Sequence, residues 1–209
     1  MLLLGPLTVL INTPKLNFNN PVFVMSFFQR ITGLLGFSFI FIQLIFGALM
    51  SKLTKYLGGS VHRIHITQGL LAYALFLIHP LLYVAIIRVT TGKLVTFIFP
   101  SAQNPLVYEL YLTYGRIAFV LATVIIFTAF FRTKPIFRRN WKKIHYLNYA
   151  VFYFTSFHAW KVGTDINSFP FSYFFWAANI VISGLIVYKY IYPRLFILFN
   201  KKESLPQKL

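Results

Sequence analysis

The 209-residue chain has no cysteine. That absence excludes disulfides, Cys-ligated iron–sulfur clusters and thioether attachment of a cofactor. Acidic residues are nearly missing too: Glu109, Asp165 and Glu203 stand against twenty Lys and Arg, for a net charge of +17. No G-x-G-x-x-G fingerprint occurs, and Gly58-Gly59 is an isolated pair, so the chain has no dinucleotide-binding loop of that kind. A basic excess of this size suits nucleic acid. Here the bases lie in short segments between apolar runs, so membrane topology accounts for them and no nucleic-acid partner is read.

What is abundant is apolar. Hydrophobic residues make up 58% of the chain and aromatics 20%. A membrane-spanning helix needs about 20 mostly apolar residues, and five stretches qualify: residues 22–50, 64–87, 110–131, 144–162 and 171–192. The expected fold is all-α, a polytopic membrane helix bundle of five full spans plus a short N-terminal apolar helix. Residues 1–11 are too short to span, contain Gly5 and Pro6, and lack the basic start of a signal peptide. They read as a half-helix, an interfacial segment or the stub of a sixth span. The division is a short apolar segment and loop (1–21), a transmembrane domain (22–194) and a basic tail (195–209).

The basic residues orient the bundle. Residues 132–143 carry Arg132, Lys134, Arg138, Arg139, Lys142 and Lys143, which places that connection in the cytoplasm. Alternation adds Lys52, Lys55, Arg63 and the C-terminal bases to the same side, fourteen in all, and leaves six on the outer side. The C-terminus is then cytoplasmic, and lipid is the surrounding partner.

Four histidines fall inside these spans. His65 and His79 lie 14 residues apart, and His145 and His158 lie 13 apart. Ionisable groups at lipid depth are rare and usually face the bundle interior for a functional reason. The two host spans run in the same direction, so His65 pairs in depth with His145 near the cytoplasmic face, and His79 with His158 near the outer face. At 1.5 Å per residue the levels are about 21 Å apart. Paired neutral imidazoles at two levels suit axial ligation of two stacked b-type hemes. Fourteen residues keep His65 and His79 nearly in phase, whereas thirteen rotate His158 by about 140° from His145. A distortion of the helix, such as a π-bulge, or divergent rotamers must therefore separate that second pair. The alternative is four histidines that hydrogen-bond between helices or line a cation pathway. His62 reads as an edge residue facing solvent or headgroups, with inner ligation as its other role.

These residues resemble a known family, the ferric reductase-like transmembrane domain shared by ferric reductases and NADPH oxidases. The matching stretches are Gln29-Arg-Ile-Thr-Gly33, His62-Arg-Ile-His-Ile-Thr-Gln-Gly69 with Ile78-His-Pro80, and Trp141-Lys-Lys-Ile-His145 continuing through Tyr149 to His158-Ala-Trp160 and Gly163. The last stretch also resembles the heme subunit of the bacterial methionine sulfoxide reductase system, a group that lacks an equivalent of His65. The resemblance implies a six-helix domain with two b hemes, the inner held by His65 and His145 and the outer by His79 and His158. It also implies electron flow from a cytoplasmic flavin to an outer acceptor, and a bacterial inner-membrane location. The chain departs from the family at Ile66, where members often carry a basic residue, and at its C-terminus, where FAD- and NAD(P)H-binding domains usually follow. FAD and NAD(P)H would act only through a partner, so the expected donor is a separate flavin reductase or membrane quinol. The expected acceptor is ferric iron, oxygen or a periplasmic partner protein.

Several residues are candidates for supporting the cofactor. Arg30 and Arg116, at outer span ends, are candidate partners for heme propionates; Gly69, one turn beyond His65, is a candidate for giving a macrocycle room. Phe76, Phe152 and Phe154 read as core packing first and as porphyrin lining second. Two other functions remain open on sequence alone. A His-lined proton or metal-ion transporter would want midplane carboxylates or broken helices. A heme-bearing membrane subunit of a respiratory complex would share the same ligands.

Overall fold

A computed structural model of the chain describes residues 1–94, 97–100 and 104–193. The expected basic tail, 195–209, lies outside the described residues. Its helices are α1 (Leu4–Ile11), α2 (Pro21–Leu57), α3 (Ser60–Thr91), α4 (Leu106–Phe130), α5 (Pro135–Arg138), α6 (Trp141–His145), α7 (Asn148–Val162) and α8 (Phe171–Ile186). A π-helical turn, Val187–Ile191, extends α8. No strand occurs among the described residues.

Among the described residues four helices are long and apolar enough to cross a membrane: α2, α3, α4 and α8 with its π-helical extension. The protein is therefore an integral membrane protein. The stretch expected as a span at 144–162 is divided instead into α6, a two-residue turn at Tyr146–Leu147, and the 15-residue α7. At 1.5 Å per residue α7 is about 22 Å long, short of a hydrocarbon core of about 30 Å. The short N-terminal helix is present as α1, eight residues long.

Helix ends follow local chemistry. The Asn20 side chain caps α2 by accepting from the backbone N–H groups of Val22 and Phe23, and Pro21 occupies the first turn, where a missing N–H costs nothing. α2 outruns its apolar stretch to Leu57 because Lys52, Leu53, Lys55 and Leu57 favour helix outside lipid as well. Gly58 ends it at φ 71°, a conformation open mainly to glycine, so the Gly58-Gly59 pair is the tight turn into α3.

α2 packs along α3, and α4 packs along α7 and α6, whereas α3 and α4 meet only sparsely. The result is two helix pairs with a cleft between them. Aromatic packing fastens α8 and α7 onto α2: the Phe37 ring lies 5.4 Å from Phe152 and 5.1 Å from Phe175, centroid to centroid. Lipid is as apolar as these side chains, so close fit and dispersion hold the contact rather than escape from water. α1 lies against α2 and α8. A Cβ on Gly5 would come within 2.9 Å of the Leu34 Cβ, and the Thr8 hydroxyl accepts from the Phe171 N–H at 3.2 Å.

Candidate functional site

Inner and outer denote the His65 and His79 ends of the bundle. The cleft brings the four histidines together as two pairs, each with one ring from α3. His79 faces His158 of α7 with ring centroids 6.3 Å apart and planes at 84°. His65 faces His145 of α6 at 6.2 Å and 64°. The expected distortion between His145 and His158 is the turn at Tyr146–Leu147, rather than a π-bulge. There the Leu147 N–H bonds to the Ile144 carbonyl and the Tyr149 N–H to the Tyr146 carbonyl, both three residues back. Each residue wound this way advances about 20° more than in an α-helix, which closes part of the phase gap.

Two imidazoles sharing one metal, at about 2.0 Å from each nitrogen and about 1.15 Å from nitrogen to ring centre for ring bonds of about 1.33 Å, would have centroids about 6.3 Å apart, so both pairs have room for one. Among the described residues no group of three or more His, Cys, Asp or Glu gathers. A bare zinc-like ion wants four protein ligands. Two facing imidazoles would suit a heme iron, which needs only two protein ligands.

Both rings of the outer pair are fixed by backbone hydrogen bonds. His79 donates its Nδ1–H to the Gln29 carbonyl at 2.9 Å, and His158 donates its Nδ1–H to the Tyr111 carbonyl at 3.1 Å. Each bond fixes the tautomer and leaves the lone pair on Nε2. Glycines make both bonds possible. A helical Cβ leans toward the preceding turn and covers the carbonyl there. Gly33 uncovers the carbonyl of Gln29, four residues earlier, and Gly115 does the same for Tyr111. A Cβ at Gly33 would lie 2.9 Å from the His79 Cε1, and one at Gly115 would lie 2.8 Å from the His158 Nδ1. The cavity around this pair has a volume of about 420 Å³ and opens among α2, α3, α4 and α7.

Both candidate arginines line this outer cavity. Each already holds a carboxylate. Arg30 donates to both oxygens of Asp165, at 2.6 and 2.5 Å, and to the Thr13 hydroxyl at 3.1 Å. Arg116 pairs with Glu109 and donates to the Phe97 carbonyl at 2.9 Å. Asp165 is 3% and Glu109 7% exposed, so two of the chain's three acids are spent on neutralising these arginines. Burial pulls the Asp165 carboxyl upward, but the bonds from Arg30, Asn12 and Thr164 outweigh it and hold the group below the ordinary carboxylate value.

The inner pair is arranged differently. The Gln43 side-chain amide from α2 donates to the His65 carbonyl at 3.1 Å and lies 3.2 Å from the His65 Nε2. Gly69 clears the way, four residues after His65, since a Cβ there would sit 2.7 Å from the Gln43 Nε2. Gly69 thus serves the amide, and it also lines a smaller inner cavity of about 70 Å³ together with Gln43, Phe76 and His145. The Nδ1 atoms of His65 and His145 are buried and have no hydrogen-bond partner among the described residues. His62 is exposed and outside both pairs. Phe76 lines both cavities; Phe152 is core, and Phe154 stacks on Tyr114 with centroids 6.1 Å apart. Sequence reasoning missed Gly115, Gln43 and the Arg–carboxylate pairing. An amide such as Gln43 within an apolar run is itself a signal, because a buried polar group needs a partner.

The site and fold together define a helical membrane protein with two facing imidazole pairs stacked along its axis. Residues 32–156 match the family described as ferric reductase-like transmembrane component, and the chain belongs to that family. No curated protein and no solved structure matches the chain.

Proposed function

We propose that the protein carries electrons one at a time across the membrane by means of two b-type hemes, the inner held by His65 and His145 and the outer by His79 and His158. The observation that carries this reading is that His65 faces His145 and His79 faces His158, at ring separations of 6.2 and 6.3 Å. When bound, the heme iron supplies the one-electron redox couple. The chain supplies ligands, tautomer control and exclusion of water. Arg30 and Arg116 meet the outer cofactor as carboxylate-paired groups, so their remaining N–H donors would bond propionates within a nearly neutral rim. The paired state of Glu109 and Asp165 disfavours a proton or metal-ion pathway, which needs carboxylates free to exchange their load. The donor is a flavin reductase or quinol on the cytoplasmic side, where the residue 132–143 connection lies, and the acceptor is ferric iron, oxygen or a partner protein outside. The membrane is the bacterial inner membrane, and α2, α3, α4, α8 and the broken α6–α7 segment taken together make five crossings, with α1 beside them.

The test is spectroscopic. H79A and H158A should each abolish the same b-type component in reduced-minus-oxidised spectra, and H65A and H145A the other. Loss of unrelated components within a pair would refute the pairing.

A further inference from the structure

A neutral imidazole has one nitrogen that donates and one that accepts. At His79 the donor nitrogen bonds to a backbone carbonyl, so the accepting lone pair is free. At His65 the situation is reversed. The Gln43 Nε2 already gives one N–H to the His65 carbonyl, and its position 3.2 Å from the ring nitrogen makes that nitrogen the acceptor of the other. The ring's proton is then on Nδ1, which is buried and has no partner among the described residues. The imidazole's lone pair is committed, and the other nitrogen carries a hydrogen. Neither can bind a metal until the amide lets go, whichever nitrogen the iron takes.

On the two-heme reading, we infer that Gln43 is a positioning residue that competes with the inner iron for His65, so that the inner heme is held more weakly than the outer. The amide has no easy alternative. Its Oε1 is buried and has no partner among the described residues, and a Cβ at residue 69 would close the notch that admits it. The outer pair has no such competitor, since Gln29 and Tyr111 contribute only carbonyls to the nitrogens that do not ligate. The difference between the sites is therefore built into α2 and α3, and it makes the inner site the exchangeable one.

A net neutral hydrogen bond corresponds to about a fivefold effect on an equilibrium. The experiment follows heme transfer from the full chain in lipid nanodiscs to an excess of a heme-scavenging globin, in the H79A background so that only the inner heme is followed. Q43L removes the amide at similar volume. G69A displaces it, while every ligand stays in place, and Q43M provides a third, unbranched replacement. Each should slow release of the inner heme by about fivefold, while the outer heme, followed in an H65A background, keeps its rate. An amide that merely braced His65 for the iron would have the opposite sign, with faster release on its removal. Unchanged or faster inner release in Q43L and G69A overturns this inference alone. Wild-type protein that binds no heme overturns the two-heme reading and this inference with it.

Discussion

Replacing Gly115 with alanine tests how the outer site is built. The added Cβ would lie 2.8 Å from the His158 Nδ1 and 3.0 Å from both Cε1 and Cγ. Real Cβ atoms do not approach that closely, so the imidazole must move away from α4. It is anchored there by its 3.1 Å bond to the Tyr111 carbonyl, which the movement breaks. Overpacking costs about 1–3 kcal/mol and the lost bond about 0.5–1.5 kcal/mol, together about 2–4 kcal/mol. Part of that strain is felt whether or not a cofactor is present, so outer heme retention should fall by about 10- to 100-fold. Gly184 is the control, because a Cβ there meets nothing within 4 Å. G184A should leave heme content unchanged and, by helix propensity, stabilise by up to about 1 kcal/mol. Heme-to-protein ratio by pyridine hemochrome, with release kinetics, reads the effect. A G115A protein with wild-type outer heme content and release rate would refute the claim that this glycine positions His158.

Two further expectations concern the outer rim and the topology. D165N should lower stability by about 2–3 kcal/mol, less than the 3–5 kcal/mol of a fully buried pair, because the Arg30 side chain is 23% exposed. The Asp165 carboxyl titrates below its ordinary value, so its contribution is complete above the unfolded value of about 3.9 and disappears as pH falls through the lower folded value. Thermal melts should therefore show a constant gap between wild type and D165N from pH 7 to 5 that narrows below about pH 4; a gap that widened on acidification would contradict the ion pair. The cysteine-free background permits single-site labelling: R139C should react with a membrane-impermeant maleimide only from the cytoplasmic side and K93C only from the outer side. The reverse pattern would invert the proposed orientation.

The histidine pairs were legible because spacing along a helix fixes depth, and depth needs no knowledge of neighbours. The phase mismatch between His145 and His158 was legible for the same reason, and it demanded the break that the turn at Tyr146–Leu147 supplies. The form of the break was not, since a 3₁₀-type turn and a π-bulge correct phase from the same residues. What needs a second helix stayed hidden. Arg30 and Asp165 are 135 residues apart, and nothing local says that a carboxylate rather than a propionate is the arginine's first partner. Gly115 carries no mark of facing His158. One regularity now makes such positions readable: Gln29 with Gly33, Tyr111 with Gly115 and His65 with Gly69 each set a carbonyl four residues before a glycine, and each carbonyl accepts from a side chain of another helix. The extent of α7 was overestimated because apolar composition measures what tolerates lipid, and backbone winding decides where a helix is continuous.

Two-heme electron transfer requires each imidazole pair to close on one heme iron. The most direct measurement is the heme b content per chain of the purified protein, made with ample heme supply, by pyridine hemochrome alongside a reduced-minus-oxidised spectrum. Two hemes per chain, with sharp b-type α and Soret bands, is the predicted result. Protein that folds into the membrane and carries no heme would contradict it.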